Sequence, residues 1–153
     1  MTILLLTGFT FVDKQNKNEQ KFKIEISYIG LPSPITTKYS IDSERILVHQ
    51  TLYDSKTDTF VDFNKSTYKK FDKEKIVSFL KNTDWGKIQP KLVTPTIDGY
   101  HYTIKLEIEN RKFDFDIENT YQPTFDSLFA ICNGLIPKNK QRQYNLPYSV
   151  GRK

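Results

Sequence analysis

Residues 99–118, GYHYTIKLEIENRKFDFDIE, decide how the chain folds. Tyr100, Tyr102, Ile104, Leu106 and Ile108 alternate with His101, Thr103, Lys105, Glu107 and Glu109, the period-two pattern of a strand with one buried face. Phe113, Phe115 and Ile117 resume the alternation after a polar interruption. A hairpin with Asn110 and Arg111 at its tip sets Ile108 opposite Phe113, Leu106 opposite Phe115 and Ile104 opposite Ile117, so that one face is apolar. The same pairing sets Glu107 opposite Asp114, Lys105 opposite Asp116 and Lys112 opposite Glu109.

Upstream of this hairpin the pattern is again that of strands. Residues 3–12 read as a first strand and 13–20 as a polar loop. Phe22, Ile24, Ile26 and Tyr28 form the apolar face of a second strand, which ends at Gly30 and the prolines at 32 and 34. Residues 35–41, 45–53, 59–63 and 67–71 read as further extended segments, separated by turns at 41–44, 54–58 and 64–66. At Asp72 the period changes. Asp72 as N-cap, followed by Ile76, Val77, Phe79 and Leu80, predicts a short amphipathic helix over 73–82, its end covered by Trp85. Residues 86–97, with Pro90 and Pro95, read as a connection. Downstream, Phe125, Leu128, Phe129 and Cys132 share a helical face, predicting a helix over 124–133 with Thr124 as N-cap, or Pro123 just outside it, and Asn133-Gly134 as its stop. The expected fold is α+β: a mainly antiparallel, curved sheet of about six to eight strands with two short helices packed on one face. Residues 1–137 form one α+β domain, and 138–153 form a basic C-terminal tail whose alternating Tyr144, Leu146, Tyr148 and Val150 suit either an added edge strand or a free segment.

Composition bounds the function. The 153 residues suit a single domain, and although only 37% are hydrophobic, 11 Phe and 9 Tyr supply a core rich in rings. One cysteine, Cys132, excludes an internal disulfide and a CxxC site and fits a reducing, cytoplasmic setting. The N-terminal apolar run lacks a preceding positive charge, a cleavage pattern and the length of a membrane span, so neither a signal nor a membrane partner is expected. The net charge of +5 resides in the tail: residues 138–153 carry five basic residues and no acidic one, which leaves 18 of each sign in the first 137 positions. A basic nucleic-acid-binding face on the body is therefore not indicated.

Catalytic fingerprints are absent from the sequence: there is no Gly-rich phosphate loop, HExxH or GxSxG, and no cofactor or metal is expected. His101, close to Asp98 and to the carboxylates of the opposing strand, offers a minor enzymatic reading as an acid/base pair, against the simpler reading of a solvent-facing strand histidine. His49 reads as a hydrogen-bonded sheet histidine and Cys132 as a small core side chain. Asn64-Lys65-Ser66 matches a glycosylation tripeptide that arises often by chance. The distinctive feature is the outward row Glu107, Glu109, Asp114, Asp116 and Glu118. Carboxylates facing one another across a hairpin cost a few tenths to about 1 kcal/mol, so their retention suggests a strip that docks a basic protein partner. A divalent-cation site is a weaker reading of the same row, and an ordinary solvated face the plainest. The alternative functional segment is the tail, where Lys138, Lys140, Arg142, Arg152 and Lys153 are interleaved with Tyr144 and Tyr148 in a mixture that tracks phosphates and stacks on bases.

From about residue 68 to 137 the order is a strand, a short helix ending near Trp85, a proline-containing connection, Asp98-Gly99-Tyr100-His101-Tyr102 opening a long hairpin, and Gln122-Pro123-Thr124-Phe125 starting a last helix. This order resembles small bacterial β-sheet domains of uncharacterised families, and its motifs are structural, so it carries over no catalytic residue. The compact make-up, rich in Lys, Asn and aromatics, is similar in style to bacterial immunity proteins and phage-encoded inhibitors. This style, taken with the acidic hairpin face, suggests a non-enzymatic protein-binding module, immunity-like or inhibitor-like, that occludes a basic partner through that face. The alternative is a nucleic-acid-binding accessory protein acting through the tail.

Overall fold

In the computed structural model, residues 21–30, 33–95 and 99–140 are described. They form seven strands and two helices: β1 (Phe22–Gly30), β2 (Ile35–Asp42), β3 (Ile46–Asp54), β4 (Thr59–Tyr68), α1 (Glu74–Asn82), β5 (Lys91–Val93), β6 (Tyr100–Ile108), β7 (Arg111–Glu118) and α2 (Pro123–Leu135). A single open sheet has the order β4-β3-β2-β1-β6-β7-β5. All neighbours are antiparallel except β5, which lies parallel to β7. The expected strand 3–12, the loop 13–20 and the tail from residue 141 lie outside the described residues.

Alternation in the sequence becomes alternation in space. Ile24, Ile26, Tyr39, Ile41, Ile46, Val48, Tyr102, Ile104, Leu106, Phe115 and Ile117 are buried on one face of the sheet. The helices close over that face. From α2, Phe129 stacks on Tyr102 at 4.6 Å between ring centroids, and Phe125 meets Phe115 edge-on at 4.9 Å. From α1, Ile76 and Leu80 enter the same cluster. Trp85 joins helix to sheet: it lies against Phe79, Phe115 and Phe125, and its indole N–H donates to the Leu80 carbonyl at 3.0 Å. It therefore covers the end of α1, as the sequence predicts.

Several local expectations are corrected. The hairpin turns at Glu109-Asn110, not at Asn110-Arg111, and the observed register places Ile108 opposite Arg111, Leu106 opposite Phe113, Ile104 opposite Phe115 and Tyr102 opposite Ile117. The shift is by two residues, so every side chain keeps its face while changing its partner. The segment 64–66 is not a turn: β4 runs through it, and the polar stretch is where the β3–β4 register slips between Gln50 and Thr51, a β-bulge. Part of the proline-rich connection forms β5, too short to show periodicity. The N-cap of α2 is Gln122, whose side-chain oxygen accepts from the backbone N–H groups of Thr124 and Phe125, with Pro123 in the first turn where no N–H is needed. Asn133 is buried and Gly134 stays helical, so α2 stops at Leu135. α1 begins at Glu74, and the Asp72 carboxylate accepts from the Glu74 N–H at 3.0 Å.

Backbone constraints bear on the central hairpin at Gly99 and Glu109, and positive φ recurs at Asp58 and Asn119. Gly99 admits no side chain, because a Cβ there would overlap the Asn119 amide, which accepts the Tyr100 N–H at 2.7 Å. Glu109 has φ of 56°, a conformation that disfavours a residue with a Cβ. Replacing Glu109 by Gly should therefore raise stability by about 0.5–1 kcal/mol, measured by urea denaturation.

Burial also sets an alkaline limit. It pushes the Cys132 thiol up to about 12 and raises the Tyr102 phenol far above its ordinary range, where the neighbouring Tyr28 and Tyr100 phenols reinforce the shift. Tyr28 and Tyr100 are themselves raised, again chiefly by burial. In each case the folded state holds the proton more tightly than the unfolded chain. The resulting stability is complete below the unfolded values, about 8.5 for Cys and about 10 for Tyr, and is lost as pH rises past them toward the folded values. Tm, followed by Trp85 fluorescence, should fall steadily above about pH 8.5, and the fall should be shallower in Cys132→Ala.

Candidate functional site

The face of the sheet opposite the helices is built from the other half of each alternation. Its rows can be read across the strands. Glu25 on β1 faces Lys105 on β6, which faces Asp114 on β7. One rung further along, Lys23 faces Glu107, which faces Lys112. The two rows are of opposite phase, so each carboxylate has lysines as cross-strand neighbours and each lysine has carboxylates. The Lys23 and Glu25 head groups meet at 2.8 Å, and those of Lys112 and Glu107 at 3.8 Å. The hydrogen bond from Lys23 is the largest influence on Glu25 and holds its carboxyl below the usual range, while the same contact raises Lys23. These six side chains, with Leu106, line a shallow depression of about 240 Å³. This is smaller than the ~300–1,000 Å³ of typical ligand clefts, and its floor is already internally paired.

The expected opposition of Glu107 to Asp114 is thus not found. The turn at Glu109-Asn110 inserts Lys112 opposite Glu107 and Lys105 opposite Asp114, so the physical argument from facing like charges does not hold. All five carboxylates still lie at or beyond this open face, but they are divided. Glu107 and Asp114 belong to the paired rows. Asp116 Oδ1 accepts a hydrogen bond from His101 Nε2, and Glu118 lies opposite His101 on β7. Glu109 is at the hairpin tip, where its N–H donates to the Lys21 carbonyl at 3.0 Å.

Histidines occupy two similar positions. His49 Nε2 meets Asp62 of β4 at 2.8 Å, and His101 meets Asp116, so both imidazoles pair with a carboxylate of the next strand on the open face. Asp98, the partner considered from sequence, lies outside the described residues. His101 is about half exposed and does not line the depression. Among the described residues no three His, Cys, Asp or Glu side chains converge as metal ligands, and no helix is long and apolar enough to cross a membrane. Cys132 is fully buried in α2. In the tail, Lys138 and Lys140 follow α2 in a turn closed by the Lys140 N–H on the Pro137 carbonyl at 2.8 Å. Arg142, Tyr144, Tyr148, Arg152 and Lys153 lie outside the described residues.

Sequence reasoning missed Lys23 and Glu25. Their strand was legible, but its position beside β6 was not, because strand order leaves no trace in a local alternation. Comparison with known proteins gives no match to a family, a curated protein or a solved structure.

The paired rows predict a charge-reversal cycle. Lys105→Glu places a third carboxylate between Glu25 and Asp114 and should destabilise the fold by about 0.5–1.5 kcal/mol; adding Asp114→Lys should recover part of the loss, as read by thermal denaturation at low salt.

Proposed function

We propose that this protein is a non-enzymatic protein-binding module, immunity-like or inhibitor-like in action, that docks with the open face of its sheet and occludes a partner. The observation that carries the reading is the order of that face: the helices cover the centre of one side of a seven-stranded sheet, while the other side presents charges in alternating rows on a hydrogen-bonded ladder. A rigid face needs little ordering on association, so its charges act mainly on specificity and encounter rate. Basic side chains of the partner would meet Glu107, Glu109, Asp114, Asp116 and Glu118. Lys23, Lys105 and Lys112 between them would repel a uniformly basic surface, so the preferred partner carries basic groups spaced by acidic or neutral ones. The shallow, self-paired depression supports docking over small-molecule turnover.

The test is affinity capture from source-cell lysate with nuclease-treated and untreated arms, using wild type and a variant in which Glu107, Asp114 and Asp116 are replaced by Ser or Thr. A nuclease-resistant protein should be retained by wild type and bind the variant at least ~10-fold more weakly, with slower and less salt-sensitive association. Equal binding by a folded variant removes the face from the account, and nuclease-sensitive capture favours the tail.

A further inference from the structure

Among the described residues, the two edges of the sheet differ. β5 is three residues long and flanked by Pro90 and Pro95, a short edge of the kind that resists pairing. β4, at the other end, is ten residues long and bears Phe60, Val61 and Phe63, which with Tyr53 of β3 make up four of the six large hydrophobic side chains that are exposed among the described residues. Lys65 and the bulge ordinarily discourage pairing at such an edge. Here their positions make β4 complementary to itself.

The backbone sets which groups point outward. The Tyr53 N–H donates to the Pro34 carbonyl, and the Asp42 N–H to the Arg45 carbonyl, so on β3 the odd-numbered residues Leu47, His49, Thr51 and Tyr53 direct their hydrogen-bonding groups toward β2. Their partners on β4 therefore direct their own away from the sheet: Phe60 opposite Tyr53, Asp62 opposite Thr51, Lys65 opposite His49 and Thr67 opposite Leu47. The bulge, at 63–64, lies at the centre of this set and restores its phase.

We propose that β4 pairs with β4 of a second copy of this chain, antiparallel about a two-fold axis at the bulge, extending the sheet through both subunits. Phe60 then faces Thr67 of the partner subunit and Asp62 faces Lys65 of the partner subunit, each as a hydrogen-bonded pair, and the symmetry repeats both. Asp62 and Lys65 lie on the open face, so each crosses the junction to an opposite charge, twice per dimer. Without the bulge, residues 62 and 65 would sit on opposite faces and the pairing would fail. The two Phe63 residues meet near the axis.

The experiment is sedimentation equilibrium of the full chain across a concentration series, for wild type, Lys65→Glu and the exchange variant Asp62→Lys/Lys65→Glu, with circular dichroism to confirm folding. Wild type should form a dimer, Lys65→Glu should weaken it roughly tenfold or more, and the exchange should restore it to within a few-fold. In wild type, amide exchange at Phe60, Asp62, Lys65 and Thr67 should slow as the dimer fills, and that at Val61 should not change. A wild type monomeric throughout, with the edge taken by another segment or protein, overturns the proposal. So does a dimer indifferent to Lys65→Glu.

Discussion

The closure of β6 on β7 through the two residues Glu109 and Asn110 is the constraint on which the rest depends. A turn one residue longer would throw every side chain of β7 to the opposite face. Closed as it is, Phe115 and Ile117 reach the helices while Asp114 and Asp116 join the open face. The turn is closed against a conformational cost at Glu109, whose φ is positive. That the hairpin nevertheless adopts it reflects the side chains it aligns: Arg111 beside Phe113, Phe113 beside Leu106 and Phe115 beside Ile104.

Above the hairpin, rings make the link between layers. Tyr28, Tyr100, Tyr102 and Phe129 form one chain of contacts, and Phe79, Trp85, Phe125 and Phe115 another. Both run from sheet to helix. A short helix such as α1 has too few turns to be stable alone, so its order derives from these contacts and from the Trp85 bond to Leu80.

Much of this was legible in the chain. Alternation over Phe22 to Tyr28 and over Tyr100 to Ile108 gives buried faces that the structure reproduces, because parity survives any even shift of register. Partners do not survive it. Whether Glu107 meets Asp114 or Lys112 depends on where the chain turns, and Glu109 carries no sequence signal for a positive φ. The bulge in β4 was hidden because Asn64-Lys65-Ser66 has the composition of a turn, whereas the continuous ladder with β3 holds it extended. The helix cap at Gln122 was missed because a longer side chain than usual reaches back over the proline. The carboxylates of the candidate site were placed on the right face, while Lys23 and Glu25, which change what that face can attract, required knowledge of strand order.

The strand order has a further meaning for the history of each molecule as it folds. β1 to β4 are joined by neighbouring contacts, as are β6 and β7, but β1 meets β6 across a wide gap in sequence, along a ladder from Phe22 opposite Ile108 to Gly30 opposite Tyr100. One seam thus unites an early-synthesised meander with a late-synthesised hairpin, across a long loop whose closure is entropically slow. Among the described residues, β6 is the strand that pairs with β1 on the side away from β2. The seam is thus the contact of longest reach in the sheet, and its closure joins the two halves of the fold.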